Sequence, residues 1–127
     1  MNGLASKITE SEVEVMRVLW ESGTDLPLSE IIKALVHKTS WEASTIKTLL
    51  RRLCNKGVVS AIKDQVFYYA PLVTESEYNE FITQSLINRL YSGRATNLVA
   101  SLIASKKLDD ADIEELRKLF RVGEADE

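Results

Sequence analysis

Residues 41–57 read WEASTIKTLLRRLCNKG, from Trp41 to Gly57. Ile46, Leu49, Leu50 and Leu53 recur at i, i+3, i+4 and i+7, the spacing of one apolar stripe on an α-helix. Gly57 sits where a helix ends in left-handed backbone, and Lys56 just before it suits the negative end of the helix dipole. The rest of the helix surface carries Ser44, Thr45, Lys47, Thr48, Arg51, Arg52 and Asn55, with no acid among them. Side chains of these types bond to phosphates and to base edges, and a leucine-backed helix presenting them fits a DNA major groove. The same residues also describe an ordinary solvated face, so this helix alone leaves both readings open.

Charge distribution favours the first reading. The chain of 127 residues has a net charge of −3, which by itself does not suggest nucleic acid. Residues 33–63, however, hold Lys33, Lys38, Lys47, Arg51, Arg52, Lys56 and Lys63 against Glu42 alone, while the segments on either side are net acidic. A basic middle between acidic flanks is a local footprint for a polyanion.

Outward from that helix the pattern repeats a known supersecondary order. Thr9-Glu10-Ser11-Glu12 reads as a capping box, followed by Val13, Val15, Met16, Leu19 and Trp20 at helical spacing and by Gly23 as a stop. Thr24 to Leu26 is a link that can hold a brief extended segment pairing with a later hairpin. Pro27 is placed to open a second helix in its first turn, with Ile31, Ile32, Leu35 and Val36 on the buried side. Lys38-Thr39-Ser40 is a turn. After Gly57, Val58–Ile62 and Val66–Ala70 read as two strands around Lys63-Asp64-Gln65, and Pro71 stops the second. Tyr68 and Tyr69 are adjacent on a strand, so one faces the core and one faces out. The expected fold is mainly α with a small β-hairpin. Residues 1–72 form a winged helix-turn-helix DNA-binding domain, with the second helix crossing the backbone, the third in the groove and Lys63 at the hairpin tip near phosphate or minor groove.

Residues 73–127 read as a helical dimerisation domain. Thr74-Glu75-Ser76-Glu77 is a second capping box opening a long helix with Tyr78, Phe81, Ile82, Leu86 and Leu90. Leu98, Val99, Leu102 and Ile103 mark a shorter helix. A last one carries Ile113, Leu116, Leu119 and Phe120, and Glu124–Glu127 is a frayed tail. Three short helices have too little core to stand alone. They pack on a second copy of the chain, placing two reading helices on a pseudo-palindrome, or fold back on the first domain.

Other chemistries find little support. Cys54 is the single cysteine, so no internal disulfide or multi-cysteine zinc site is expected. His37, the single histidine, lacks a companion ligand, and the acids Asp109 to Glu115 lack the spacing of a calcium loop. No glycine-rich phosphate loop or nucleophile–histidine set appears. No enzyme activity and no cofactor are expected. No apolar run reaches the ~18 residues of a membrane span and no signal peptide is visible, so a cytoplasmic protein is expected. Trp20 and Trp41 read as core or helix-start packing. The competing functional class is a winged-helix protein-interaction module without a DNA role.

With these residues in view, the chain resembles the penicillinase-repressor family, the BlaI/MecI/CopY group of bacterial regulators. The resemblance rests on Ile8-Thr9-Glu10-Ser11-Glu12, Val15-Met16-Arg17-Val18-Leu19-Trp20, and Thr45-Ile46-Lys47-Thr48-Leu49-Leu50-Arg51-Arg52-Leu53 with Lys56-Gly57. Phe67-Tyr68-Tyr69, Leu90-Tyr91-Ser92-Gly93 and Asp112-Ile113-Glu114-Glu115-Leu116 support it. It implies a dimeric repressor of resistance or homeostasis genes on a pseudo-palindromic operator of double-stranded DNA. By that resemblance Thr45, Lys47 and Thr48 would meet base edges, and Arg51 and Arg52 bases or phosphates. The residue pattern itself adds Ser44 on the same helix face, Lys63 at the hairpin tip and Tyr68 as the outward tyrosine able to touch a phosphate. Copper-responsive members carry a C-terminal cysteine hook, which Arg121–Glu127 does not contain. β-Lactam-responsive members are cut at an Asn-Phe bond, and the matching place here is near Ser101-Leu102. A sensor-linked protease is therefore a candidate partner, and the inducing signal stays open.

Overall fold

The structure, a computed structural model, describes residues 3–125, with side chains followed as far as Arg121. A 3-10 turn, Ala5–Lys7, leads into α1 (Glu10–Ser22), β1 (Leu26–Pro27), α2 (Leu28–Lys38), α3 (Ala43–Asn55), β2 (Val59–Asp64) and β3 (Val66–Pro71). Then come α4 (Glu75–Leu90), α5 (Ala95–Ala104) and α6 (Asp110–Ala125). The chain divides into two compact units, Met1–Thr83 and Gln84–Glu127, so the first runs beyond residue 72 and takes in the start of α4.

Each element of the first unit has a local cause. Thr9 accepts from the Glu12 amide and Glu12 accepts from the Thr9 amide, the reciprocal cap expected at the start of α1. Gly23 ends that helix in left-handed backbone, φ 68°. At the end of α3 the Val58 amide donates to the Leu53 carbonyl (3.1 Å) and the Gly57 amide to that of Cys54 (3.1 Å). With Gly57 at φ 81° this is a Schellman motif, and it buries Leu53 and Val58 completely where the chain leaves the helix for the sheet. Pro27 is the N-cap of α2 and the last residue of β1, one position earlier than the first helical turn expected for it.

Three helices share one core. Val15, Met16 and Leu19 of α1, Ile31 and Leu35 of α2, and Ile46, Leu50 and Leu53 of α3 are buried together, and the half-buried Trp41 packs against them. Beside them lies an antiparallel sheet in the order β1-β3-β2. The expected extended link is β1, where Leu26 pairs with Tyr69 and Pro27 with Tyr68. The hairpin is tighter than its sequence suggested. Asp64 pairs with Val66, so of Lys63-Asp64-Gln65 only Gln65 lies outside the ladder, in left-handed backbone at φ 68°. Three helices followed by this hairpin make a winged helix-turn-helix.

At the start of α4, Tyr78 and Phe81 pack against the core of the first unit, and Trp20 meets Tyr78 ring to ring at 5.6 Å. The Trp20 Nε1–H donates to the Val73 carbonyl (2.8 Å), which fixes the strand leaving the sheet. Much of Tyr78 and Phe81 is thus used inside the chain, which leaves less of each to meet a second copy. Periodicity shows that residues share a face, not what covers it.

The second unit is thinly covered. Of its large apolar residues, Ile87 is buried; Leu86, Leu98, Leu102 and Leu116 are half-buried. Leu90, Val99, Ile103, Ile113, Leu119 and Phe120 are exposed, Leu119 and Phe120 by about 70%. Glu124 and Ala125 continue α6 where a frayed tail was expected, and Asp126–Glu127 lie outside the described residues.

Candidate nucleic-acid interface

With about 100° per residue, the buried stripe of α3 fixes where its other side chains point. Opposite the stripe stand Ser44, Thr48, Arg51 and Asn55. Thr45 and Arg52 form one flank, and with Ser44, Thr48 and Leu49 they line a shallow open groove. Lys47 and Cys54 form the other flank, facing the sheet. Ser44, Thr45, Lys47, Arg51 and Arg52 are exposed. Thr48 is half-buried and its hydroxyl donates to the Ser44 carbonyl (3.0 Å), which leaves its oxygen free to accept.

The cations of the basic segment sort into two groups. Lys56 turns inward: its Nζ donates to Glu12 Oε1 (2.6 Å) and to the Lys7 carbonyl (2.9 Å). Glu12 is 1% exposed. Burial works against its charge, but the Lys56 ammonium and the Thr9 amide prevail and hold its carboxyl below the usual range. Lys38 forms an exposed ion pair with Glu21 at 3.5 Å. Among the described residues, Lys33, Lys47, Arg51, Arg52 and Lys63 have no acidic partner. The free positive charge therefore concentrates on α3, on exposed Lys33 of α2 and at the wing.

At the wing, Lys63 lies over the Phe67 ring, 5.8 Å from its centroid. This contact steadies an exposed ammonium near the hairpin tip. Tyr69 packs on the core, as one of the tyrosine pair must, and Tyr68 is half-buried rather than fully outward. Ile62, Val66 and Phe67 are exposed apolar residues of the hairpin, to which sequence reasoning gave no role on this surface. Their alternation in the strands carries no mark to separate a covered face from a bare one.

The chemistry available on this surface is recognition. It offers hydroxyl and cationic donors on an exposed helix, with a second cation on an adjacent hairpin. No group of three or more His, Cys, Asp or Glu side chains able to hold a metal ion is present among the described residues. No described helix is long and apolar enough to cross a membrane. The Ser101-Leu102 bond, which the resemblance marks as a candidate cut, falls inside α5, where both residues are half-buried and Ser101 Oγ meets the Tyr91 hydroxyl at 3.2 Å.

Known proteins resemble the chain along most of its length. The sequence profile of the penicillinase repressors matches residues 8–121. A penicillinase repressor of Bacillus licheniformis is 34% identical over 115 residues, covering 90% of this chain and 89% of its own. The methicillin resistance regulatory protein MecI of Staphylococcus aureus (strain N315) is 32% identical over 121 residues, covering 94% and 98%. Among solved structures, the DNA-binding domain of the repressor BlaI matches 61% of this chain and 94% of its own, with 37% identity and a TM-score of 0.53. The Bacillus licheniformis BlaI monomeric form in complex with the blaP half-operator matches 56% and 87%, with 39% identity and a TM-score of 0.50. A profile match across nearly the whole chain, with two relatives above 30% identity, makes this chain a member of the penicillinase repressor family.

Proposed function

We propose that this protein is a DNA-binding transcriptional repressor that reads a pseudo-palindromic operator as a homodimer. The observation that carries the reading is the exposed face of α3, where Lys47, Arg51 and Arg52 stand without acidic partners among the described residues, beside Ser44, Thr45 and Thr48. Its family relatives are repressors, and a structurally similar member is seen on a half-operator. Phosphate contacts from Lys33, Lys63 and the arginines supply affinity and a steep salt dependence. Base-edge contacts from Thr45, Lys47, Thr48 and Arg51 supply selectivity, about 1–3 kcal/mol for each well-made contact. Lys56, bound to Glu12, supports the reading head without touching DNA. Tyr68 adds a phosphate contact from the wing.

The dimer is supported by the bare apolar surface of Leu90, Val99, Ile103, Leu119 and Phe120 in the second unit. A sensor-linked protease cutting near Ser101-Leu102 would release the DNA by separating the two heads. Because that bond lies within α5, the helix must open before it can be cut.

Gel shift on the fragment upstream of the protein's own gene tests the reading. Lys47→Ala and Arg51→Ala should each weaken binding by about 1–3 kcal/mol, and Lys33→Ala should lower the salt slope by about one. If Lys47→Ala and Arg51→Ala both bind as the parent does at moderate salt, α3 is not the reader. If the parent shows no salt-sensitive binding to any duplex, the protein-interaction reading takes its place.

A further inference from the structure

The sheet-facing flank of α3 is not flat. A cleft of about 380 Å³ opens there, lined by Leu28, Lys47, Leu50, Arg51, Cys54 and Tyr69. Its volume lies within the roughly 300–1,000 Å³ of small-molecule sites. A second hollow of about 470 Å³ shares Leu28 and Tyr69 and continues to Val66, Phe67 and Lys63. The walls of both are mainly apolar, their only charged side chains are Lys47, Arg51 and Lys63, and no acid lines either one. None of the three cations has an acidic partner among the described residues. Burial pushes the Cys54 thiol and the Tyr69 phenol up, so neither adds negative charge at neutral pH.

An apolar wall rimmed by unpaired cations selects by charge as well as by shape. A neutral apolar molecule would leave Lys47 and Arg51 unanswered, and a cation would be repelled. We propose that this cleft binds a small amphipathic anion, an apolar chain ending in one carboxylate, and that its occupation excludes DNA. The chain lies over Leu28, Leu50 and Tyr69, and the carboxylate takes Lys47 and Arg51. Those two side chains are the ones assigned to base edges and phosphate, so one set of cations cannot serve both ligands. The coupling to DNA rests on the proposed reading of α3, whereas the site itself does not. Such a ligand would switch the reading head directly and leave the dimer intact.

The probes are decanoate and decanol, used with the full chain below the micelle-forming range. Calorimetry without DNA should show decanoate binding about tenfold or more tighter than decanol, the worth of one charge-assisted contact. Backbone amide shifts should centre on Leu28, Leu50, Cys54 and Tyr69. Cys54→Leu, which fills the cleft at a residue given no DNA contact, should weaken decanoate by about tenfold and leave gel-shift affinity within about twofold. Decanoate, and not decanol, should displace bound DNA. Equal binding of acid and alcohol overturns the proposal, as does DNA shifting those amides while decanoate does not. The acid–alcohol comparison uses the parent chain, so it holds whether or not the variant folds. If decanoate binds but the protein ignores DNA, the reading of α3 fails and the site stands.

Discussion

Lys56 and Glu12 join the end of α3 to the start of α1 through one short contact of 2.6 Å. Removing the ammonium would leave a carboxylate that is 1% exposed without its cation. Breaking one side of a buried pair costs about 3–5 kcal/mol, and the 29% exposure of the Lys56 side chain favours the lower end of that range. Lys56→Met should therefore lower unfolding free energy by about 3 kcal/mol in urea titration, with gel-shift affinity of the remaining folded protein unchanged. A loss of DNA affinity at full stability would return Lys56 to the contact surface. The pair also sets a pH dependence. The Glu12 carboxyl is held below its unfolded value, so its contribution is complete above the ordinary carboxylate range and fades as acid passes through it. Stability of the parent should fall more steeply below about pH 4.5 than that of Glu12→Gln, which has no proton to take up there. The sequence displayed Glu12 as a cap and Lys56 as part of a basic run. Their union spans 44 residues and left no local trace.

The elements differ in how much of themselves the sequence displays. The stripe of α3, its glycine stop and both threonine capping boxes are short-range patterns, and the structure repeats them at the expected residues. The hairpin tip was less legible, because one left-handed residue, Gln65, replaces a three-residue loop and no glycine announces it. α4 was legible as a helix but not in its contacts. Tyr78 and Phe81 share a stripe with Ile82 and Leu86, yet the first two meet the core beneath Trp20 while Ile82 is exposed. α5 carries a prediction of its own. The contact between the Tyr91 hydroxyl and Ser101 Oγ ties its middle to the end of α4. Tyr91→Phe removes that bond at a cost of about 1 kcal/mol, so α5 should open about five times more often. Faster amide exchange across Leu98–Leu102, with matching faster cleavage by an added protease, is the expected result. Exchange unchanged in the variant would mean that α5 opens independently of this tie.

At the scale of the whole molecule, the proposed dimer would make affinity depend on holding two heads together. The basic segment of a single winged unit offers Lys33, Lys47, Arg51, Arg52 and Lys63 without acidic partners among the described residues, and one α3, a modest grip at physiological salt. Joining two such units makes the second binding event intramolecular and raises the apparent affinity by about 10²–10⁴ without a new contact. The surface that would do the joining is the bare face of the second unit, where Phe120 is 72% and Leu119 67% exposed. A charge there cannot disturb an internal core, since neither side chain is part of one. Phe120→Asp should leave the helical content and melting of the first unit unchanged while sedimentation reports a monomer. Its affinity for a single half-site should equal the parent's, and its affinity for the full palindrome should fall by about 10²–10⁴. A variant that sediments as a dimer would assign the interface to other residues. A monomer that holds the full site as tightly as the parent would show that each head binds alone, and separating the heads could then not relieve repression.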